Sequence, residues 1–255
     1  MNGRILIKLG GSSLQNPSTL KELIKLVKGL RKEGRQIVIV HGGGPAINQE
    51  LTLRGINWQF INGQRQTTPE MMSVIEEVLA VKINSMLVDI LRAADIQANG
   101  LSGAHDKILF CTQANVQLLQ VGNIQSVNTE AIESVISHSV AVISPIGVGA
   151  DNKKYNINAD WAATKIGVAL QVEKLIFLTD QNGVLDANKE LVKVLTPQLT
   201  NEMIESGVIS GGMFTKVNTM MSGLREGIGQ VRVLNAGVAG ELLSHPDMGT
   251  VLVHS

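Results

Sequence analysis

The chain has 255 residues, a formal net charge of zero, 44% hydrophobic residues and only 3% aromatic ones. This length suits one large α/β domain or two tightly joined lobes, with Val, Ile, Leu, Ala and Met doing the packing. The absent basic excess and scarce aromatics argue against a nucleic-acid platform, no apolar run reaches the roughly 18 residues that span a bilayer, and the lone Cys111 excludes an internal disulfide and points to a reduced, cytoplasmic setting.

The first strand starts within a few residues of Met1, so no signal or transit peptide is expected. It runs Ile5-Leu6-Ile7-Lys8-Leu9 straight into Gly10-Gly11. A lysine inside an apolar strand needs a partner or a task. Asn16 can cap a following helix with Pro17 at its first position, and Leu20, Leu23, Ile24, Val27 and Leu30 recur at helical spacing until Gly34. Lys25, Lys28, Arg31 and Lys32 form a solvated face. Gln36 to Val40 is a continuous apolar run, as in a strand covered on both faces, and leads through His41 into Gly42-Gly43-Gly44. Glycine clusters let backbone N–H groups approach an oxyanion closely, so two anion-holding loops are expected at the strand ends.

Further along, Asn62-Gly63 forms a turn that delivers Arg65 just before a helix start. Arg65 could grip a carboxylate with two parallel bonds, or it could be a surface arginine after a turn. Residues 70–94 read as one long or broken helix, 98–101 as a strand, and 108–121 as a hairpin region. A helix at 129–136 and a strand at 140–144 follow. In Asn156-Ile157-Asn158-Ala159-Asp160 the alternate polar residues face one way, with Asn158 or Asp160 able to cap the helix 159–169. The strand 174–179 ends in Thr179-Asp180-Gln181-Asn182-Gly183, a turn that could hold a nucleotide. After a helix at 199–205, Gly211-Gly212 open a helix (212–228) whose first turn is expected to carry Lys216, where both the dipole and the ammonium attract anions. Strands at 230–234 and 249–253 close the chain. Strand–helix alternation implies a mainly parallel sheet with helices on both sides, and ligands beyond the carboxyl ends of its strands.

Neither the P-loop nor the dinucleotide glycine fingerprint occurs. The ordered segments KLGGS, HGGGP, NGQRQTT, NINAD, LTDQNGVL and GGMFTKVN instead resemble the amino-acid kinase family, nearly end to end. The Asn-Gly-x-Arg-x-Thr and Asn-x-Asn-Ala-Asp segments are most similar to members that act on N-acetyl-L-glutamate in arginine biosynthesis.

The resemblance implies a three-layer αβα sandwich around a mainly parallel sheet. An N-terminal lobe, about 1–170, would bind the acetylglutamate, and a C-terminal lobe, about 171–255, the ATP. It implies transfer of the γ-phosphate of ATP to the substrate's side-chain carboxylate, with Mg2+ held mainly by the phosphates and no protein metal ligand. Lys8 and Lys216 match the lysines that stabilise the transition state, and Asp160 matches the carboxylate that positions them. Gly11 and Gly44 match the phosphoryl cradle. Gly43, Gly44, Arg65 and Asn156 match the acetylglutamate site, with Arg65 on the α-carboxylate. Thr179, Asp180, Gly183, Val208, Ile209, Ser210 and Gly212 match the ATP site.

His41 is expected to be structural, Cys111 a small buried apolar residue, and Trp58, Tyr155 and Trp161 packing residues. His105, His138, His245 and His254 show no metal-ligand spacing. Ala104-His105, Trp161 and Gln181-Asn182 depart from the family pattern. A kinase for carrier-bound aminoadipate fits less well, because an acidic carrier would want a basic surface. A catalytically silent module fits poorly with both lysines and Asp160 intact. Lys8 lies too near the start for the N-terminal helix of arginine-inhibited hexamers, so an arginine-insensitive homodimer is expected.

Overall fold

The computed structural model describes residues 3–253; His254 lies outside them. In chain order, β1 (Arg4–Leu9) leads to α1 (Pro17–Lys32), with Asn16 accepting the Ser18 N–H at 3.0 Å as its cap. Gly34, at φ 76°, supplies the left-handed residue just past the helix end. Next come β2 (Gln36–His41), α2 (Gly44–Leu53) and the short pair β3 (Phe60–Ile61) and β4 (Gln64–Arg65). Of the long or broken helix expected over residues 70–94, the broken form occurs: α3 (Pro69–Glu76) and α4 (Asn84–Ala93) are joined by a π-helical segment, Glu77–Ile83. Then follow β5 (Ala98–Ser102), β6 (Leu109–Gln113), β7 (Gly122–Val127), α5 (Glu130–Ile136), β8 (Val140–Ser144), β9 (Ile146–Val148), β10 (Lys154–Asn156) and α6 (Ala159–Ala169). The last stretch holds β11 (Lys174–Thr179), β12 (Val194–Leu195), α7 (Pro197–Glu205), α8 (Gly211–Arg225), β13 (Gln230–Asn235) and β14 (Thr250–Leu252).

Two compact units form, Met1–Ile37 with Ala163–Ser255, and Val38–Ala162. The first 37 residues thus group with the C-terminal part of the chain. In this first unit β11 is flanked by β1 and β13, both parallel to it, and β14 runs antiparallel to β13. Every residue of β11 after Lys174 is buried, as its unbroken apolar sequence requires. In the second unit β8 lies between β2 and β5, again parallel, and all five of its residues are buried. A smaller sheet, β10-β9-β6-β7, pairs β6 with β7 in antiparallel fashion; β6 falls within the 108–121 region expected to form a hairpin, whereas its partner β7 lies beyond that region. The mixed α/β architecture with a mainly parallel sheet and flanking helices is therefore what the chain forms.

Candidate active site

In the first unit, each of the two lysines singled out from the sequence has Phe177 as a neighbour, one by strand register and one by ring contact. Lys8 pairs in register with Phe177 across β1 and β11, so the two side chains share a sheet face. Lys8 is only 7% exposed. Lys216, at the start of the second turn of α8, places Nζ 5.8 Å from the centroid of the buried Phe177 ring. Phe177 thus lies under the Lys216 ammonium and beside Lys8 across the strands, a role its place in an apolar strand did not announce. The Gly10 N–H donates to the Leu178 carbonyl at 3.1 Å, tying the glycine turn to β11 and leaving Gly11 half-exposed behind it.

The nucleotide-type turn lies at the end of β11. Thr179 donates its hydroxyl to Asp180 at 3.0 Å, and Asn235 donates to the Asp180 carbonyl (3.3 Å) and to Asn182 Oδ1 (3.0 Å). Asn182 therefore has a local job. Gly183 has φ 153°, and a Cβ there would meet Thr250 Oγ1 at 2.5 Å; the adjacent Val184 N–H donates to that hydroxyl at 2.8 Å. Ser210 precedes α8 without a side-chain capping bond, and a Cβ on Gly211 or Gly212 would meet nothing within 4 Å. The helix thus opens with N–H groups facing room for an anion. Val208 lines a cleft of about 500 Å3 with Val192, Leu199 and Met203. The Ile209 side chain is buried, with its N–H given to the Met203 carbonyl at 2.9 Å.

In the second unit, the triple glycine leads into a helix that the sequence reading passed over. Gly43 is the N-cap of α2 and Gly44 its first residue, with no side-chain cap and a proline next. A Cβ on Gly43 would strike Leu79 and Ile83 side-chain tips at 2.4 and 2.7 Å, whereas one on Gly44 meets open space. This is an uncapped helix N-terminus with a bare approach to its backbone.

Arg65 reaches the same place. It is 6% exposed, not a surface residue. Its Nη2 donates to Asn48 Oδ1 and makes a long 3.5 Å contact with the Gly44 carbonyl. Its Nη1 is buried with no hydrogen-bond partner. Burial pulls its pKa down to about 10, so it is still cationic at neutral pH. A buried donor on a charged group without a partner costs about 1–3 kcal/mol or more, and an incoming carboxylate would relieve it. The Thr67 hydroxyl donates to the Arg65 carbonyl (2.9 Å) and accepts from Asn156 Nδ2 (3.1 Å), linking two residues of the expected acceptor site. Thr67 and Asn48 were missed from sequence; both bond to Arg65, and their types alone give no sign of it.

Asn158, not Asp160, caps α6, accepting from the N–H groups of Asp160 (2.9 Å) and Trp161 (3.2 Å). Asp160 is half-buried in the first turn, where the helix dipole favours a carboxylate. Tyr155 is buried as expected, while Trp58 packs in its loop and stays partly exposed. It lies edge-on to Phe60, with Arg65 against both rings. Among the described residues no group of three or more His, Cys, Asp or Glu could hold a metal ion.

The chain matches the amino acid kinase family over residues 3–235. The chain belongs to the amino acid kinase family. Among kinases of this family, it is 38% identical to the acetylglutamate kinase of Shouchella clausii over 254 residues, covering 98% of this chain and 95% of that one. It is 35% identical to the acetylglutamate kinase of Pelagibacter ubique over 253 residues, covering 97% and 88%. The crystal structure of smu.665 from Streptococcus mutans UA159 has the same amino acid kinase fold, with a TM-score of 0.87 at 28% identity and full coverage of both chains.

His41 has a structural place in this family member. It is fully buried, its Nδ1–H donates to the Gly42 carbonyl (3.0 Å), and its Nε2 accepts from Asn84 Nδ2 (3.3 Å). Asn84 also donates to the Val142 carbonyl at 2.9 Å. A proton on Nε2 would face a donor, and burial already pushes the pKa from 6.5 down to about 4. The unfolded chain therefore takes up this proton below about 6.5 while the folded one refuses it until about 4, so stability falls as pH falls through that window. Between pH 7 and pH 5.5 the loss from this residue is about 1 kcal/mol. Urea unfolding of wild type and His41→Gln at the two pH values checks it: the variant should lose about 1 kcal/mol less, and an equal loss would refute the assignment. Cys111 is buried, which pushes its thiol up to about 12 and makes it inert near neutrality.

Proposed function

We propose that the protein transfers the γ-phosphate of ATP to the side-chain carboxylate of N-acetyl-L-glutamate, giving an acyl phosphate and ADP, a step of arginine biosynthesis. The observation that carries the acceptor side is Arg65 Nη1, buried and without a partner, on a side chain that contacts the Gly44 carbonyl. The acetylglutamate kinases at 35–38% identity support the choice of acid.

In this reading the unit Val38–Ala162 takes the acceptor: Arg65 holds its α-carboxylate, with Gly43, Gly44 and Asn156 around it. Thr179, Asp180, Gly183, Val208, Ile209, Ser210 and Gly212 take the nucleotide. One acceptor carboxylate oxygen attacks the γ-phosphorus, the bond from that phosphorus to the bridging oxygen breaks, and its electron pair leaves with ADP. No proton has to move, which suits a buried neutral His41. Charge builds on the transferred phosphoryl group; its stabilisation by Lys8 and Lys216 and its cradling by the N–H groups of Gly11 and Gly44 come from the family resemblance. The role of Asp160 in holding the two lysines comes from the family resemblance. Magnesium would ride on the nucleotide phosphates and offset their charge.

ADP release, measured with and without N-acetyl-L-glutamate and paired with hydroxylamine trapping of the acyl phosphate, tests this. Acceptor-dependent ADP with an equal amount of hydroxamate is expected; ADP release indifferent to the acceptor would end the proposal. We further propose a cytoplasmic homodimer, for which light scattering at twice the chain mass is the check.

A further inference from the structure

Arg65 is held by more than hydrogen bonds. The Asn62-Gly63 turn, with φ 49° and 76°, closes β3 and β4 as a two-residue hairpin and sets Phe60 directly opposite Arg65. Trp58, two residues earlier, falls on the same side of the ribbon. The guanidinium carbon lies 4.8 Å from the Phe60 ring centroid and 5.0 Å from that of Trp58. The two rings are perpendicular, with centroids 5.7 Å apart, so the cation sits in the corner they make. Both rings are unusually open for such large apolar groups, 37% for Trp58 and 50% for Phe60. A two-residue ribbon gains little stability from rings left this exposed.

Resting on the acceptor reading above, we propose that Trp58 and Phe60 are positioning residues that hold the Arg65 guanidinium for the acceptor carboxylate. Asn48 fixes Nη2, the two rings fix the plane, and Nη1 is left buried without a partner. Aromatic faces attract the cation without neutralising it and offer Nη1 no good acceptor. A carboxylate in either position would pair with Arg65 and compete with the substrate. The aromatic corner therefore restrains the cation while leaving its charge for the ligand, which lowers the ordering cost of binding.

The test is a mutant cycle on acetylglutamate kinetics. Trp58→Leu and Phe60→Leu should each raise the KM for N-acetyl-L-glutamate about three- to tenfold, leaving kcat and the KM for ATP within about twofold. In an Arg65→Ala background the same changes should do almost nothing, because the group they hold is gone. Trp58→Phe should restore most of the loss. Equal effects with and without Arg65, or no effect on KM, would overturn the proposal, and melting curves exclude misfolded variants. If the wild-type protein makes no ADP with N-acetyl-L-glutamate, the acceptor reading fails on its own. The positioning claim is then decided by the Arg65 Nε–H resonance: a ring-current shift lost in Trp58→Leu and Phe60→Leu supports it, and an unmoved resonance overturns it.

Discussion

Replacing Lys8 or Lys216 with alanine is expected to lower kcat by at least about a hundredfold, with only a small change in melting temperature. A preorganised charge aimed at developing negative charge is worth about 2.7–4 kcal/mol in comparable sites. Lys8 lies at 7% exposure in an apolar strand, where alanine keeps the apolar pattern of the strand. Lys216 stands over a ring that stays packed without it. Lys8→Met, which keeps the volume, should be as impaired as Lys8→Ala; that would separate lost charge from lost packing. Single-turnover ATP cleavage measures the chemical step directly. Near-normal rates in both alanine variants would remove these lysines from the chemistry.

The second large effect falls on binding. Arg65→Ala should raise the KM for N-acetyl-L-glutamate by about one to two powers of ten, since hydrogen bonds to charged groups are worth about 1.5–3 kcal/mol. The KM for ATP should hardly move. Arg65→Lys should recover little, because a point charge cannot present two parallel donors or lie flat against the rings. A weakened ATP KM with an unchanged acetylglutamate KM would refute the assignment.

The parallel strands and α1 were legible because their signals are local. An unbroken apolar run marks a strand covered on both faces, and Asn16-Pro17 marks a helix start. Other elements left no such trace. β3 and β4 are two residues each, too short for alternation to register. Only Ile47 and Leu51 are buried along α2, too sparse a stripe to announce a helix behind three glycines. The π-helical turn hides inside Val-Leu-Ala-Val, which any helix would accept. In the site, glycines, lysines and Arg65 stood out as types that needed a reason. Thr67, Asn48 and Phe177 are ordinary residues whose significance lies in which neighbour the fold brings to them, and Trp58 became informative only once the hairpin register was known.

One compact unit is an uninterrupted stretch, Val38–Ala162, while the other is assembled from both sides of it. All four residues proposed to hold the acceptor, and the aromatic corner with them, belong to that stretch. In the proposed reading acceptor choice is encoded in a single cassette of sequence, flanked by the parts proposed to handle the nucleotide. A lineage could exchange or drift that cassette toward another acid provided Gly44 and Asp160, which lie inside it, keep their places for phosphoryl transfer, and a chimera made at these two junctions would inherit its acid preference from the insert.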